Sequence, residues 1–294
     1  MDKPLVSIVI PTYNSEKTLP ICLESIKRQI SRNIEVIVVD NYSKDRTIKI
    51  AEKFGARIIR AHGGLLWARY IGHLHAQGDI ELLLDSDQIL NPTTIEQGVK
   101  MILNGCDMLV LEEQSYNPKT LMQWLFYFDR KQVHNVKDLN PLHGVLLARM
   151  YRYEVLDKAF NAIKDKLPLK LMYRLVSQDH ALIYYEAWKY SKKIAILDNA
   201  VYHIEPFTLT QVIKKFYRYG KTELSITKYY PELIRGKRTP RKINLRPESW
   251  VSLLLWLMKA VPYALGKATS SYRICDAKDL RMHSLDAEVH HSVI

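Results

Sequence analysis

Apolar positions in the first third of the chain follow two alternating rhythms. Short runs at residues 6–10, 35–39, 57–59, 80–84 and 108–111 read as strands. Between them, residues 15–28, 45–54, 65–76 and 93–104 carry apolar positions at helical spacing, as in Leu19, Cys22, Leu23 and Ile26, and Gly55 suits a helix C-terminus. Alternating strands and helices predict a mostly parallel sheet with helices on both faces. Beyond residue 113 the rhythm loosens: 122–128 reads as an aromatic helix and 142–148 as a buried strand entered through Gly144. An apolar helix at 181–188, a strand at 194–197 and a helix opened by Thr208-x-x-Gln211, running to Tyr219 and closed by Gly220, complete the expectation.

In such a sheet, function gathers at the carboxyl ends of the strands. Three strands deliver polar residues there: Pro11, Thr12, Tyr13 and Asn14 after the first, Asp40 to Ser43 after the second, and Asp85-Ser86-Asp87 after the run 80–84. Two carboxylates two residues apart at a strand end are costly unless a cation neutralises them. A divalent metal carrying a nucleotide diphosphate does so, because hard cations take carboxylate and phosphate oxygens. Neither a Gly-x-Gly-x-x-Gly nor a Gly-x-x-x-x-Gly-Lys loop follows the first strand, which argues against dinucleotide dehydrogenases and P-loop enzymes. Gly63-Gly64 reads as a turn.

Four ordered motifs now stand together: Val9-Ile10-Pro11-Thr12-Tyr13-Asn14, Val38-Val39-Asp40-Asn41-Tyr42-Ser43-Lys44-Asp45-Arg46-Thr47, Ala68-Arg69-Tyr70-Ile71-Gly72 and Leu84-Asp85-Ser86-Asp87. With Gln178-Asp179-His180 and Val201-Tyr202-His203 downstream, the chain resembles a family 2 glycosyltransferase of the GT-A fold, an inverting enzyme that uses a nucleotide-sugar donor. The resemblance covers about residues 5–220. It implies that Pro11, Thr12, Tyr13, Asn14, Asp40, Arg69, Asp85 and Ser86 bind the donor. Tyr13 would face the base, Asp40 its ring nitrogen, Arg69 the base or diphosphate, and Asp85 the ribose. Asp87 and His203 would hold Mn²⁺ or Mg²⁺, and Asp179 would be the catalytic base. Asn41 and Gln178 depart from the acidic residues usual at those positions. Plainer readings stand beside these: Asp40 as a turn residue, Arg69 as a surface cation, Asp179 as a helix N-cap, His203 as structural, and Trp67 and Trp124 as packing residues.

The expected organisation is a catalytic domain at 1–220, with a nucleotide-binding half at 1–112 and an acceptor half at 113–220, followed by a basic extension at 221–294. The acceptor would be a hydroxyl of a glycan or lipid-linked glycan; a polyprenyl phosphate is the alternative acceptor, although Ile89 stands where that subgroup tends to carry Gln. A sugar nucleotidyltransferase or a non-catalytic membrane-associated protein are the remaining alternatives.

Charge adds a partner. The formal net charge is +12, and residues 211–273 hold 14 Lys or Arg against 3 Glu. Such a block attracts nucleic acid or anionic membrane, and no nucleic-acid-binding module accompanies it. Residues 247–265 are rich in Trp, Leu and Val but interrupted by Lys259 and Pro262. They suit a helix lying in a membrane interface beside the polybasic segment 235–246 rather than a span, or else a helix packed on the catalytic domain. The extension is expected to be separable from the donor site, which lies before residue 204. Cys22, Cys106 and Cys275 have no ligand or redox spacing and, with no export signal at the N-terminus, predict a cytoplasmic protein peripheral to the inner membrane face.

Overall fold

The computed structural model describes residues 4–134, 138–143, 146–235 and 247–269. Within them one sheet is built from β1 (Val6–Thr12), β2 (Ile34–Asp40), β3 (Arg57–Arg60), β4 (Ile80–Leu83), β5 (Gln88–Leu90), β6 (Met108–Ser115), β7 (Ala148–Arg152) and β8 (Ile194–His203). Its order is β3-β2-β1-β4-β7-β6-β8-β5. The first four strands are mutually parallel, β7 runs antiparallel to β4 and β6, β8 runs parallel to β6, and β5 runs antiparallel to β8. The α/β fold with a mostly parallel sheet is the one expected.

The pleat divides the core. Val6, Ile8 and Ile10 pack with Leu19, Cys22, Leu23 and Ile26 of α1 (Leu19–Lys27), Ala51 of α2 (Thr47–Lys53), and Ile95 and Ile102 of α4 (Thr94–Leu103). Val9, Val39 and Leu83 face the other way, onto α3 (Leu65–Leu74), α6 (Tyr153–Lys166), α7 (Leu169–Arg174) and α8 (Asp179–Tyr190). The helix α3 lies tightly on β1 because Gly72 is there: a Cβ would meet Val9 Cγ1 at 2.2 Å. Trp67 is buried against Tyr70 and Tyr173, whereas Trp124 is half exposed.

Several expectations shift. The strand expected at 142–148 begins only at Ala148, and Gly144 lies outside the described residues. The three-residue β5 and the helices α6 and α7 have no counterpart in the sequence reading. The Thr208/Gln211 capping box does open a helix, α9 (Leu209–Thr227), but Gly220 is interior to it. The reason is a helix crossing with α11 (Pro247–Ala268), which follows the short α10 (Pro231–Arg235). A Cβ on Gly220 would meet the Tyr263 carbonyl at 2.0 Å, and one on Gly266 would meet the Tyr217 carbonyl at 2.1 Å. Leu255 of α11 is buried with Val212 of α9 and with Met122 and Leu125 of α5 (Leu121–His134), and Lys259 Nζ donates to Asp129 Oδ2 at 2.8 Å. The extension therefore packs on the rest of the molecule through one face. The helix α11 runs through Pro262, which interrupts the apolar run without ending the helix. The polybasic stretch 236–246 and Cys275 lie outside the described residues.

Candidate active site

Parallel register brings the ends of β1, β2 and β4 to one edge, with Thr12 opposite Asp40. Asp40 is fully buried, and its carboxylate accepts from Thr12 Oγ1 at 3.0 Å, the Ser43 amide at 2.8 Å and Ser43 Oγ at 2.5 Å. Asp40 is thus fixed, with lone pairs left for one more donor. Asn14, in the left-handed region at φ 50°, ties the loops after β1 and β2 together: its amide donates to Ser43 Oγ at 2.8 Å and its Oδ1 accepts from the Lys44 amide at 2.9 Å. Pro11 pairs with Val39 beneath them, and Tyr13 stands exposed above. Ser86 Oγ donates to Ser15 Oγ at 3.0 Å, joining the loop after β4 to the same neighbourhood. Tyr42, also left-handed, stacks on His62 with ring centroids 3.8 Å apart.

Arg69 is 1% exposed, so it is no surface cation. Its Nε donates to Asp179 Oδ2 at 2.7 Å and its Nη2 to Asp85 Oδ1 at 2.5 Å. Asp179 is the first residue of α8; the N-cap is Gln178, held left-handed at φ 63°. The approach of this turn depends on Gly64, whose amide donates to the Tyr173 carbonyl at 2.6 Å and whose Cα lies against Leu175, where a Cβ would meet the carbonyl oxygen at 2.2 Å.

From Asp85 the ion pairs continue through residues that the sequence reading missed. Asp85 Oδ2 accepts from Arg149 Nη1 at 3.1 Å, and Arg149 Nη2 donates to Glu113 Oε1 at 3.2 Å. Arg130 Nη1 binds Glu113 in turn, and Arg130 Nε donates to Glu205 Oε1 at 2.7 Å. Glu205 Oε2 lies 3.4 Å from His203 Nδ1, and His203 Nε2 lies 3.5 Å from Asp87 Oδ2. One chain of alternating sign thus runs from Asp179 to Asp87. Buried ion pairs are poor stabilisers but strong perturbers of pKa, so such a chain in a cleft points to function. Burial alone would raise the Asp179 pKa; the Arg69 guanidinium outweighs it and holds the carboxyl below its usual range. His180 is pushed down to about 4 by burial and then by Arg149 and Arg69, so it is a neutral imidazole. Three buried nitrogens here, Arg69 Nη1, His180 Nδ1 and His203 Nδ1, have no hydrogen-bond partner among the described residues.

The short β5 sets the Asp87–His203 pair. Gln88 is opposite His203 in the β5–β8 register, and the Ile204 amide donates to the Asp87 carbonyl at 2.8 Å. Metal–ligand bonds of about 2.1 Å separate adjacent donors by roughly 3 Å, so a carboxylate and an imidazole at this spacing fit one divalent cation after a small closure. No group of three or more His, Cys, Asp or Glu suited to a metal occurs among the described residues. The remaining ligands would then be phosphate or water oxygens, the habit of Mg²⁺-type sites. Lys215, half-buried on α9, is in the same field: burial disfavours its charge, but Tyr219 and the carboxylates Asp87, Glu205 and Asp85 hold its pKa up.

Residues 7–160 match the model of the family described as glycosyl transferase family 2. The chain is 26% identical over 209 residues to the poly(ribitol-phosphate) beta-N-acetylglucosaminyltransferase TarS of Staphylococcus aureus, a match covering 67% of this chain and 35% of that protein. The crystal structure of residues 1–349 of S. aureus TarS superposes with a TM-score of 0.55 at 20% identity, covering 90% of each chain. Glucosyl-3-phosphoglycerate synthase from Mycobacterium tuberculosis, crystallised with Mn²⁺, UDP and glucosyl-3-phosphoglycerate, superposes with a TM-score of 0.53 at 20% identity, covering 77% of this chain and 80% of that one. The chain spans less than two thirds of the length of the curated relatives it matches, 64% of one from Bacillus subtilis and about a third of others.

Proposed function

The chain belongs to glycosyl transferase family 2, and on that premise we propose that it transfers a sugar, with inversion, from a nucleotide diphosphate, most simply a UDP-sugar, to a hydroxyl of a glycan or lipid-linked glycan. The observation that carries the reading is the carboxylate–imidazole pair of Asp87 and His203, 3.5 Å apart and joined through the buried ion-pair chain to Asp179. In this reading the nucleoside occupies the edge formed by Pro11, Thr12, Tyr13, Asn14 and Asp40, with Asp85 and Ser86 toward the ribose. Arg69 Nη1 and the Lys215 ammonium supply positive charge to the donor.

Mn²⁺ or Mg²⁺ held by Asp87 and His203 would supply Lewis acidity toward the leaving diphosphate. Glu205, beside His203 Nδ1, would fix the ring so that Nε2 faces Asp87. Asp179 is ionised, the state a base requires. It would accept the proton of the acceptor hydroxyl as that oxygen bonds to the anomeric carbon and the bond to the diphosphate oxygen breaks. The reaction would take place in the cytoplasm, with the protein peripheral to the inner face of a membrane; no helix among the described residues is long and apolar enough to cross one.

One observation favours a second reading. Arg69 weakens Asp179 as a base, and a polyprenyl-phosphate acceptor needs none. The Asp179→Asn variant separates the two. Hydroxyl transfer predicts loss of turnover by at least about a hundredfold with donor affinity retained, since the base touches only the acceptor. Turnover near that of the parent with a phosphate acceptor would establish the second reading.

A further inference from the structure

The helix α11 has two faces of different character. Leu255, Met258, Pro262 and Gly266 turn inward onto α9 and α5. Trp250, Leu254, Leu257, Val261 and Leu265 follow one another at intervals of four, three, four and four residues and so form a single outward stripe. Every one is close to half exposed or more, from 48% at Leu257 to 59% at Val261. At a rise of 1.5 Å per residue the stripe is about 22 Å long. An isolated exposed leucine means little, but an unbroken apolar stripe of this length marks an interaction surface.

The neighbouring helix supplies the charge. Lys214, Arg218 and Lys221 of α9 are exposed at the same helical spacing, and α9 is held against α11 by the reciprocal approach at Gly220 and Gly266. Residues 236–246, which lead directly into α11, add Lys237, Arg238, Arg241, Lys242 and Arg246 to the sequence beside it. A second copy of the chain seated on the stripe would press two basic blocks of one sign together. An anionic bilayer offers both complements at once: a hydrocarbon boundary for the Trp-bearing stripe and phosphate for the cations.

We propose that the outer face of α11 and the adjoining cationic face of α9 form a docking surface for an anionic lipid bilayer. This rests on, and gives residues to, the membrane location proposed above. It also has a geometric consequence. On α9 the exposed Lys214 and Arg218 stand one and three residues from Lys215, which lies in the field of the Asp87 and Asp85 carboxylates. The candidate active site and the bilayer would thus meet neighbouring sides of one helix, which suits an acceptor carried by the membrane.

The test is co-sedimentation of the full chain with vesicles of phosphatidylcholine, alone or mixed with phosphatidylglycerol. The parent protein should bind the mixed vesicles at least tenfold more tightly than the neutral ones, and severalfold less tightly in high salt without losing binding. The triple variant Leu254→Ser, Leu257→Ser, Val261→Ser should bind at least tenfold more weakly while keeping the parent's unfolding temperature, since these side chains leave the inner face untouched. The pair Lys214→Gln, Arg218→Gln should weaken binding and flatten its salt dependence. Three results would each overturn the proposal: no binding of the parent to mixed vesicles at low salt, unchanged binding of the triple variant, or a dimer in light scattering that the triple variant dissociates. Stabilisation by UDP with Mn²⁺, measured on the same samples, reports the donor site separately, so failure of the docking surface and failure of the transferase reading are distinguishable.

Discussion

At the scale of single residues the molecule is organised around Arg69, whose fork holds Asp85 and Asp179 from a position 1% exposed. Removing one partner from a buried ion pair leaves uncompensated charge and costs about 3–5 kcal/mol. Urea unfolding of Arg69→Met should therefore show a loss of that order, and parent-like stability would mean that the pairs are not formed. His73 makes a different prediction. Its Nδ1 lies 2.7 Å from Glu81 Oε1 and its Nε2 lies 3.3 Å from Asp157 Oδ1, with Tyr153 stacked on the ring. Burial disfavours the imidazolium, but these carboxylates outweigh it and raise the pKa. A group whose folded pKa lies above its unfolded value stabilises fully below the unfolded value, here about 6.5, and loses that contribution as pH rises through the folded one. Stability should fall across that window in the parent, and the slope should be smaller in His73→Gln, with His203, also raised, still contributing. A slope unchanged in the variant would assign it elsewhere. Asp40, Asp85 and Asp87 could be singled out in the sequence because each ends an apolar run. Arg149 also follows an expected strand, at 142–148, but no motif marks it and its partner Glu113 is 36 positions away.

At the scale of elements, two short segments do the positioning, and neither announces itself by periodicity. The strand β5 has three residues, too few to show an alternation, yet its pairing with β8 sets His203 beside Asp87. The sequence read Gly63-Gly64 as a turn, but the need for Gly64 comes from residue 175, more than a hundred positions later. Gly72, by contrast, falls within a recognisable motif, although the reason for it, the close seat on Val9, is visible only in the packed structure. Gly64→Ala should push the 173–178 segment off α3 and displace Asp179. A misplacement of about 1 Å can cost on the order of a hundredfold in rate. Steady-state kinetics should show a large fall in kcat with UDP affinity nearly unchanged; an equal fall in both would place the segment in donor binding instead.

At the scale of the whole molecule, the alternating first third of the chain made the fold class readable, whereas the course of the C-terminal region depended on contacts between distant helices. The expectation that the extension is separable changes with those contacts. Removing residues 247–294 would uncover Val212, Met122 and Leu125 and take Lys259 from Asp129. The shortened chain should unfold at lower temperature than the parent rather than simply become more soluble, and an unchanged unfolding temperature would show that α11 contributes nothing to the core. The same observable, the stability of the intact protein, tests the central claim most directly. A ligand bound only by the native state stabilises it by about 2.7 kcal/mol at a hundred times its Kd. Thermal unfolding should therefore be followed with UDP and Mn²⁺ separately and together, in the parent, in Asp87→Asn and in His203→Ala. The account predicts a clear rise for the parent only when both are present, and loss of most of that rise in each variant. An equal rise with UDP in the presence of chelator, or in Asp87→Asn with Mn²⁺, would contradict it.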